Sequence, residues 1–437
     1  MGAGASVPNI VTLDAALAHT GPLGIADARV TEAFGGKETL PGPRAMELLA
    51  AMQEESKHAR AAEVGTARAA VRAMLEQQKE WDDGSLTPVF IRLAWHSSGT
   101  YDAATKTGGS NGAGMRFGPE AGDPENAGLD KARAFIEPLK AQFPNFSYSD
   151  LWILAAYVGL EVSGGPVIPF TAGRVDYDDE TAATYPPVGR LPAAEKGIPA
   201  GCPFETCDAV GVMHGWEALA EYMRTDIFYR MGFDDREAVA LLCGGHVYGR
   251  CHTDRSGYAG AWVAEMTQFS NEYAADMLED TWTCVDHDDV WLDDIGAAEL
   301  RPAPGKKQYV NRERPAGWAP KDGKALVCPF SFAKAEASLP TEPPASATRP
   351  GCPFAKAAAE DAEPEKEKCA SSAGGEPDNQ MMLASDMVLA WDKGFRVHLE
   401  AYAEDEDALR TDFGKAFKKL TELGCPFAEE PARAPTP

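Results

Sequence analysis

Two short stretches decide the fold of this chain: Arg92-Leu93-Ala94-Trp95-His96 and Gly245-His246-Val247-Tyr248-Gly249. The first lies in a mainly apolar run, which predicts a buried helix. Because Arg92 and His96 are four residues apart, both project from one helical face, with Trp95 beside them. A buried face that carries a cation, an imidazole and an indole is not an ordinary core and indicates a dry pocket over a cofactor. The second stretch places an imidazole among small residues, where a planar group can approach the backbone.

The composition limits the classes of partner. The chain has 437 residues, 44% of them hydrophobic, enough for a substantial core in one large or two medium domains. Its formal net charge is −26, so we expect no nucleic-acid partner and no anionic membrane surface. The charge is compatible with a basic protein partner attracted electrostatically. The alternative is that the acidity only keeps the chain soluble.

Cysteine usage and the first residues bear on the compartment. Nine cysteines without a Cys-x-x-Cys pair predict free thiols in a reducing compartment rather than disulfides or a zinc site. Residues 1–35 have neither the features of a signal peptide nor those of a good mitochondrial presequence. We therefore expect a cytoplasmic protein, with a mitochondrial location left open. Met1-Gly2-Ala3-Gly4-Ala5-Ser6 fits the myristoylation pattern, so weak membrane association through Gly2 is an alternative.

Composition divides the chain into four segments. Residues 1–60 are predicted as an N-terminal extension and residues 61–283 as most of the main domain. Residues 284–380, rich in Pro, Ala, Glu and Lys, are predicted as a long irregular insertion, partly disordered. Residues 381–437 complete the domain and end in a tail. Helical patterns cover residues 43–80, 88–97, 130–143, 149–162, 214–231, 235–243, 269–278, 386–391, 395–404 and 405–423, and Asp82-Asp83-Gly84-Ser85 ends the first of them.

Six motifs in order resemble the class I haem peroxidases, the group of cytochrome c peroxidase, ascorbate peroxidase and catalase-peroxidase. They are residues 89–102 around Arg92 and His96, Asp123-Pro-Glu-Asn-Ala-Gly-Leu129, Gly173-Arg-Val-Asp176, residues 245–252, Ser256-Gly-Tyr-Ala-Gly-Ala-Trp262 and Leu383-Ala-Ser-Asp386. The resemblance covers roughly residues 66–282 and 381–426. It implies a mainly α-helical haem peroxidase fold in which distal and proximal helical halves enclose one haem b, so that the main domain is a peroxidase domain.

The resemblance assigns the proximal residues. His246 would be the axial ligand of the haem iron, and its second ring nitrogen would donate to the carboxylate of Asp386. Taken alone, Asp386 would instead be interpreted as a helix N-cap. Trp262 matches the proximal tryptophan. The positions near the haem propionates are matched by Arg250, His252 and Ser256.

On the distal side the resemblance implies that His96 moves a proton from bound hydrogen peroxide to its outer oxygen. Arg92 would stabilise the charge that develops on the leaving oxygen. The O–O bond would then break heterolytically, which releases water and leaves ferryl iron with one further oxidising equivalent. Asn126 matches the residue that hydrogen-bonds the distal imidazole, and Trp95 matches the indole over the haem.

The sequence gives conflicting indications of the electron donor. Trp262, the upstream Met381-Met382 pair and the acidic charge resemble cytochrome c peroxidase. Arg255 instead matches the arginine with which ascorbate peroxidase holds ascorbate at the haem edge, although Gly84 stands where many of those enzymes have a second basic residue. We therefore expect a hybrid class I haem peroxidase that reduces hydrogen peroxide with cytochrome c, ascorbate or both.

A function of another class rests on a repeated tripeptide. Cys-Pro-Phe begins at Cys202, Cys328, Cys352 and Cys425. Cys-Pro pairs can bind haem weakly through the thiolate, so these elements allow a haem- or redox-sensing or docking protein. The alternative interpretation is that they are loop segments in which a proline follows a cysteine.

Overall fold

The computed structural model describes residues 10–20, 27–79, 81–82, 84–178, 188–194, 216–312 and 379–427, without the side chains of residues 17–20, 27–29 and 53–62. This part of the chain is mainly α-helical, which confirms the predicted fold class. None of its helices combines the length and apolar character needed to cross a bilayer.

The helices occur in two groups along the chain. The first group is α1 (Leu13–Thr20), α2 (Asp27–Phe34), α3 (Gly42–Gln77), α4 (Thr87–Ser98), α5 (Gly118–Ala121), α6 (Leu129–Gln142) and α7 (Tyr148–Val162). The second group is α8 (Trp216–Tyr222), a π-helical segment (Met223–Tyr229), α9 (Asp235–His246), α10 (Glu272–Glu279), α11 (Trp291–Asp294), α12 (Ala384–Trp391), α13 (Lys393–Glu404) and α14 (Glu406–Glu422). Short 3-10 helices occupy Gly114–Arg116, Pro124–Asn126 and Ala298–Leu300.

Helix α7 is the apolar centre of the distal half. Its residues from Ser149 to Leu160 are all buried, which explains why its sequence is hydrophobic on every side. Leu151 and Leu154 face a core shared with α3, α4 and α6, whereas Ile153 and Leu160 face the core shared with the proximal half. Packing against α7 fixes the position of α4, the helix that carries Arg92 and His96.

Helix α9 is held at both of its ends. At its start Asp234 and Glu237 form a reciprocal capping box, in which each side chain accepts from the other residue's backbone N–H. Near its end Gly244 lies against Phe413 of α14 so closely that a Cβ would be 2.3 Å from the ring. The helix continues through His246, three residues beyond the end expected from the sequence. Gly244 and Gly245 have a weak helix propensity, but packing of Gly244 against Phe413 outweighs it.

The predicted start of the irregular insertion is wrong in the described structure. Residues 284–312 contain β6 (Lys307–Val310), which pairs antiparallel with both β5 (Thr283–Asp286) and β7 (Met381–Met382). A small core stabilises this region, formed by Val285, Trp291, Leu292, Ala297, Leu300 and Val310. The prediction was made from the average composition of the segment, which is polar. Six apolar residues are enough to form this core, and so few do not change that average. Residues 313–378 lie outside the described residues.

The boundary expected at residue 60 falls inside a helix. Helix α3 runs for 36 residues, from a small N-terminal core to the distal core. Its first turns pack with strands β1 (Ile10–Thr12) and β2 (Thr39–Pro41) and with α1 and α2. Its last turns contribute Ala67, Val71 and Leu75 to the distal core. Helix-forming residues continue without a break across residue 60, which explains why one helix belongs to both the predicted extension and the predicted domain.

A buried ion pair connects the distal half to the C-terminal helix. Arg174 donates to Asp150 at 2.9 Å, and the two side chains are 1% and 6% exposed. The same guanidinium donates to Ser110 Oγ at 3.0 Å and to the Thr421 carbonyl at 2.5 Å. Asp150 also accepts from the backbone N–H groups of Gly173 and Arg174. The pair therefore joins four segments of the chain, at residues 110, 150, 173–174 and 421.

Removing the acid of this pair should destabilise the fold strongly. Asp150→Ala leaves a buried guanidinium without its counter-ion, so we expect the free energy of unfolding to fall by about 3–5 kcal/mol. Urea unfolding measures it. Glu400→Ala is the control, because the Arg396–Glu400 pair is 43% and 51% exposed and is expected to contribute under about 1 kcal/mol. Equal losses in the two variants would contradict this account.

Candidate active site

The proximal part of the site is organised by the carboxylate of Asp386. This side chain is fully buried, near the start of α12. It accepts hydrogen bonds from His246 Nδ1 at 2.8 Å, Trp262 Nε1 at 2.7 Å and the Tyr273 hydroxyl at 2.9 Å. The backbone N–H of Leu383 donates a fourth, at 2.7 Å. Only a carboxylate without a proton can accept all four, so the donor set fits the ionised form.

The rings of His246 and Trp262 are stacked. Their centroids are 4.3 Å apart with 15° between the planes, and Tyr273 meets the imidazole edge-on at 5.8 Å. Trp262 directly follows strand β4 (Gly260–Ala261), which pairs with β3 (Arg250–Cys251). A Cβ on Gly260, which has a φ of +109°, would lie 3.2 Å from Met381 Cγ, so glycine allows the buried Met381 to pack there.

The hydrogen bond to Asp386 determines what His246 can do. Because Nδ1–H is donated to the carboxylate, the lone pair of the neutral imidazole lies on Nε2. The His246 side chain is 28% exposed although its partner is fully buried, so part of the ring faces open space. The imidazole is thereby a basic nitrogen donor with a fixed orientation, which suits an axial metal ligand.

The distal part of the site fixes the tautomer of His96 in the same way. Asn126 donates through Nδ2 to the Glu120 carbonyl at 2.9 Å, which leaves its Oδ1 to accept from His96 Nδ1 at 3.0 Å. The lone pair of His96 is therefore on Nε2. Burial lowers the pKa of His96 well below 6.5, and the nearby charge of Arg92 lowers it further. The imidazole is neutral and able to accept a proton at neutral pH.

Arg92 is oriented by two backbone carbonyls. Its Nη1 donates to Ala127 at 2.9 Å and its Nη2 to Glu125 at 2.7 Å, on either side of Asn126. Trp95 lies beside the pair, with its ring 5.7 Å from that of His96. Trp95 also requires Gly99, because a Cβ there would be 2.6 Å from the indole. The loop of residues 124–127 thus positions both the base and the cation.

The residues predicted near the haem propionates and the arginine predicted to hold ascorbate lie in one loop, residues 250–256, but have different surroundings. His252 and Arg255 both contact Asp82, through Nε2 at 2.8 Å and Nη1 at 3.0 Å. Arg250 is exposed on β3, and Ser256 is only partly buried. Burial raises the pKa of the Cys251 thiol to about 12, which a hydrogen bond with Ser256 only partly offsets. The structure therefore brings Arg255 and His252 together but does not place Arg250 in that pair.

Sequence reasoning missed Tyr273 and Asp82. Tyr273 lies in an ordinary amphipathic helical pattern, and nothing local marks its hydroxyl as a donor to a residue 113 positions away. Asp82 was interpreted only as part of a helix stop. The one local signal was that Asp tolerates left-handed backbone, which Asp82 adopts at a φ of 41°.

The residues present fit a haem. Within the described structure no hydrogen bond reaches Nε2 of His96 or of His246. His246 would be the residue that ligates the iron, and His96 and Arg92 would supply the base and the cation for the reaction with peroxide. This geometry supplies the nitrogen ligand and the dry distal pocket that a haem with one protein ligand needs.

The depressed pKa of His96 predicts the pH dependence of the reaction with peroxide. Because the base must be neutral, the rate constant should stay level as the pH falls through 6.5 and should drop only at lower pH. Arg92→Leu removes a charge that disfavours protonation, so its drop should begin at higher pH. Stopped-flow mixing of the haem-loaded protein with hydrogen peroxide measures this. A wild-type inflection at about 6.5, the ordinary value, would contradict it.

Comparison with known proteins agrees with this geometry. A family model described as "Peroxidase" matches residues 67–405. A protein named "Putative heme-binding peroxidase" from Gibberella zeae is 38% identical over 80% of this chain and 76% of its own length. "Cytochrome c peroxidase, mitochondrial" from Aspergillus fumigatus is 37% identical, over 83% of this chain and 70% of its own length. With the two imidazoles placed as described, the chain belongs to the peroxidase family, as a class I haem peroxidase.

Proposed function

We propose that the chain reduces hydrogen peroxide to water with electrons taken from cytochrome c. The observation that carries the proposal is the hydrogen bond from Trp262 Nε1 to the buried Asp386 carboxylate, with the indole stacked on His246. Some relatives with this similarity are named cytochrome c peroxidases. The haem peroxidase activity itself follows from the family.

The peroxide half of the reaction is assigned to the distal pair. The haem, when bound, would supply the two electrons that are needed to break the O–O bond and would be reduced again by the electron donor. Nε2 of His96 accepts a proton from the inner oxygen of the peroxide and returns it to the outer oxygen, which leaves as water. Arg92 stabilises negative charge on that outer oxygen. Asn126 holds the imidazole in the tautomer that this transfer requires.

The electron half is assigned to Trp262. An indole that loses an electron becomes a cation, and the ionised carboxylate of Asp386 at 2.7 Å from Nε1 stabilises it. The buried sulfurs of Met381 and Met382, on the strand next to β6, add polarisable groups in the same core. The π-contact between Trp262 and His246 gives the electron a short path toward the metal ligand.

A basic protein donor fits the charge of the chain. The formal net charge of −26 attracts a basic partner over distances comparable with the Debye length and steers its approach. Small anions gain nothing from this field. Ascorbate remains a second proposed donor through Arg255, but the contact of Arg255 with Asp82 places a competing carboxylate at that site.

The described Cys-Pro-Phe element gives no support to the sensing function. The Cys425 side chain is 8% exposed, and its Sγ lies 3.1 Å from Ser110 Oγ. Burial raises the pKa of this thiol, so it is protonated and a poor haem ligand or redox centre. The elements at Cys202, Cys328 and Cys352 lie outside the described residues, and their role stays a prediction.

The compartment is proposed from the donor. Use of cytochrome c requires a shared compartment, and relatives from Aspergillus fumigatus and Yarrowia lipolytica carry "mitochondrial" in their names. A cytoplasmic location, the expectation from the sequence, would favour ascorbate instead. Gly2 lies outside the described residues, so membrane association through its myristoylation stays a prediction.

Trp262→Phe tests the electron route. The variant keeps the ring but loses the N–H that Asp386 orients, so steady-state oxidation of ferrocytochrome c should fall at least tenfold. Oxidation of ascorbate, which needs no indole, should survive. The measurement is turnover of the haem-loaded protein with each donor at low and high salt, where only the cytochrome c rate should depend on salt.

A matched control is available for this variant. Trp282 is also buried, and its indole nitrogen has no hydrogen-bond partner in the described structure, so Trp282→Phe should leave both rates within twofold. Unchanged cytochrome c oxidation in Trp262→Phe would contradict the proposed electron transfer through Trp262. Peroxide turnover with ascorbate alone, lost in Arg255→Ala, would make ascorbate the donor.

A further inference from the structure

A three-residue cluster closes the rim of the site beside the distal pocket. The carboxylate of Asp82 accepts from His252 Nε2 at 2.8 Å with one oxygen and from Arg255 Nη1 at 3.0 Å with the other. Each of the three side chains is 17–25% exposed, so the contact is partly shielded from solvent. We call Asp82, His252 and Arg255 the rim cluster.

Arg255 is held in place on three sides. The ring of Trp81 lies 5.7 Å from its guanidinium carbon, a cation–π distance. Gly128 lies against the aliphatic part of the side chain, because a Cβ there would be 2.7 Å from Arg255 Cδ. Asp82 accepts from Nη1 of the guanidinium, whereas Nε is buried without a hydrogen-bond partner in the described structure. Arg255 therefore cannot turn toward another anion without losing this contact.

Asp82 is committed to the cluster by its backbone and its charge. Its φ of 41° lies in the left-handed region, which aspartate tolerates better than most residues. Burial raises the pKa of the carboxyl, but hydrogen bonds from His252 and Arg255 outweigh it and lower the pKa to about 2. The anion is thus present throughout the pH range in which the protein works.

The rim cluster lies close to the reacting groups. Arg255 packs against Gly128, and the preceding residue, Ala127, accepts a hydrogen bond from Arg92 through its carbonyl. Cys251, in the same loop as His252, also interacts electrostatically with Arg92. A small anion bound by His252 and Arg255 would therefore sit beside the loop that positions Arg92.

We infer that Asp82 is an internal anion that occupies the His252–Arg255 pair and so excludes small anionic reductants from this edge of the site. Asp82 is then a specificity-determining residue, which leaves the route through Trp262 to a protein donor. The effect of Asp82 on the choice of electron donor rests on the proposed function. The occupation of the His252–Arg255 pair by Asp82 is a binding property and can be tested without turnover.

Asp82→Asn is the direct test. Asparagine has nearly the same shape and tolerates the left-handed backbone, but it carries no charge. Ascorbate is titrated calorimetrically into the ferric, haem-loaded protein without peroxide. We expect the variant to bind ascorbate with a Kd about tenfold lower than the wild type, the effect of releasing roughly 1.4 kcal/mol of competing ion pairing. Asp82→Gly, which also accepts this backbone, should show the same gain.

Two further variants make the result specific. Asp412→Asn removes a carboxylate that is 20% exposed and likewise accepts from an arginine and a second side chain, Arg236 and Tyr402, and it should not change ascorbate binding. Asp82→Asn combined with Arg255→Ala should lose the gain. In turnover, Asp82→Asn should lower the KM for ascorbate about tenfold and leave cytochrome c oxidation within twofold.

The inference is overturned if Asp82→Asn and Asp82→Gly bind ascorbate no more tightly than the wild type. It is also overturned if the gain persists without Arg255, because the released site would then not be this pair. Failure of the proposed function looks different: the haem-loaded protein would oxidise neither donor, while the calorimetric comparison would still report on Asp82.

Discussion

The fully buried carboxylate of Asp386 is the constraint on which the rest of the site depends. Removing a carboxylate from water costs several kcal/mol unless its lone pairs are satisfied, and here four donors satisfy them. The donors come from α9, the residue after β4, α10 and the start of α12. The electrostatic demand of one side chain thus fixes the relative positions of four segments, and with them the orientation of His246 and Trp262.

The distal half meets the opposite demand, because its central imidazole must stay neutral. Burial among apolar helices and the neighbouring charge of Arg92 both disfavour protonation of His96. The carbonyl groups that hold Arg92 flank the same asparagine that fixes the tautomer of His96. The proximal side therefore stabilises a charge by hydrogen bonds, and the distal side prevents one by desolvation. The proximal side therefore suits His246 as an electron-rich ligand, and the distal side suits His96 as an unprotonated base.

Much of this could be predicted from the sequence, since the information was local or resided in the order of motifs. The i, i+4 spacing of Arg92 and His96 and the buried helix around them needed only periodicity. The contacts of Tyr273 and Asp82 could not be predicted, because they join positions more than 100 residues apart and leave no local pattern. The same holds for residues 284–312, where pairing with Met381-Met382 turns a polar segment into part of a sheet.

The reduction potential of the bound haem in the wild type and in Asp386→Asn tests the central claim most directly. An ionised Asp386 makes His246 electron-rich and favours ferric iron, so the neutral amide should raise the ferric/ferrous potential, by about 59 mV for each 1.4 kcal/mol of stabilisation lost. Tyr273→Phe should lower it, because the carboxylate then has one donor fewer and draws more on the imidazole N–H. Potentials that do not change in either variant would contradict the account.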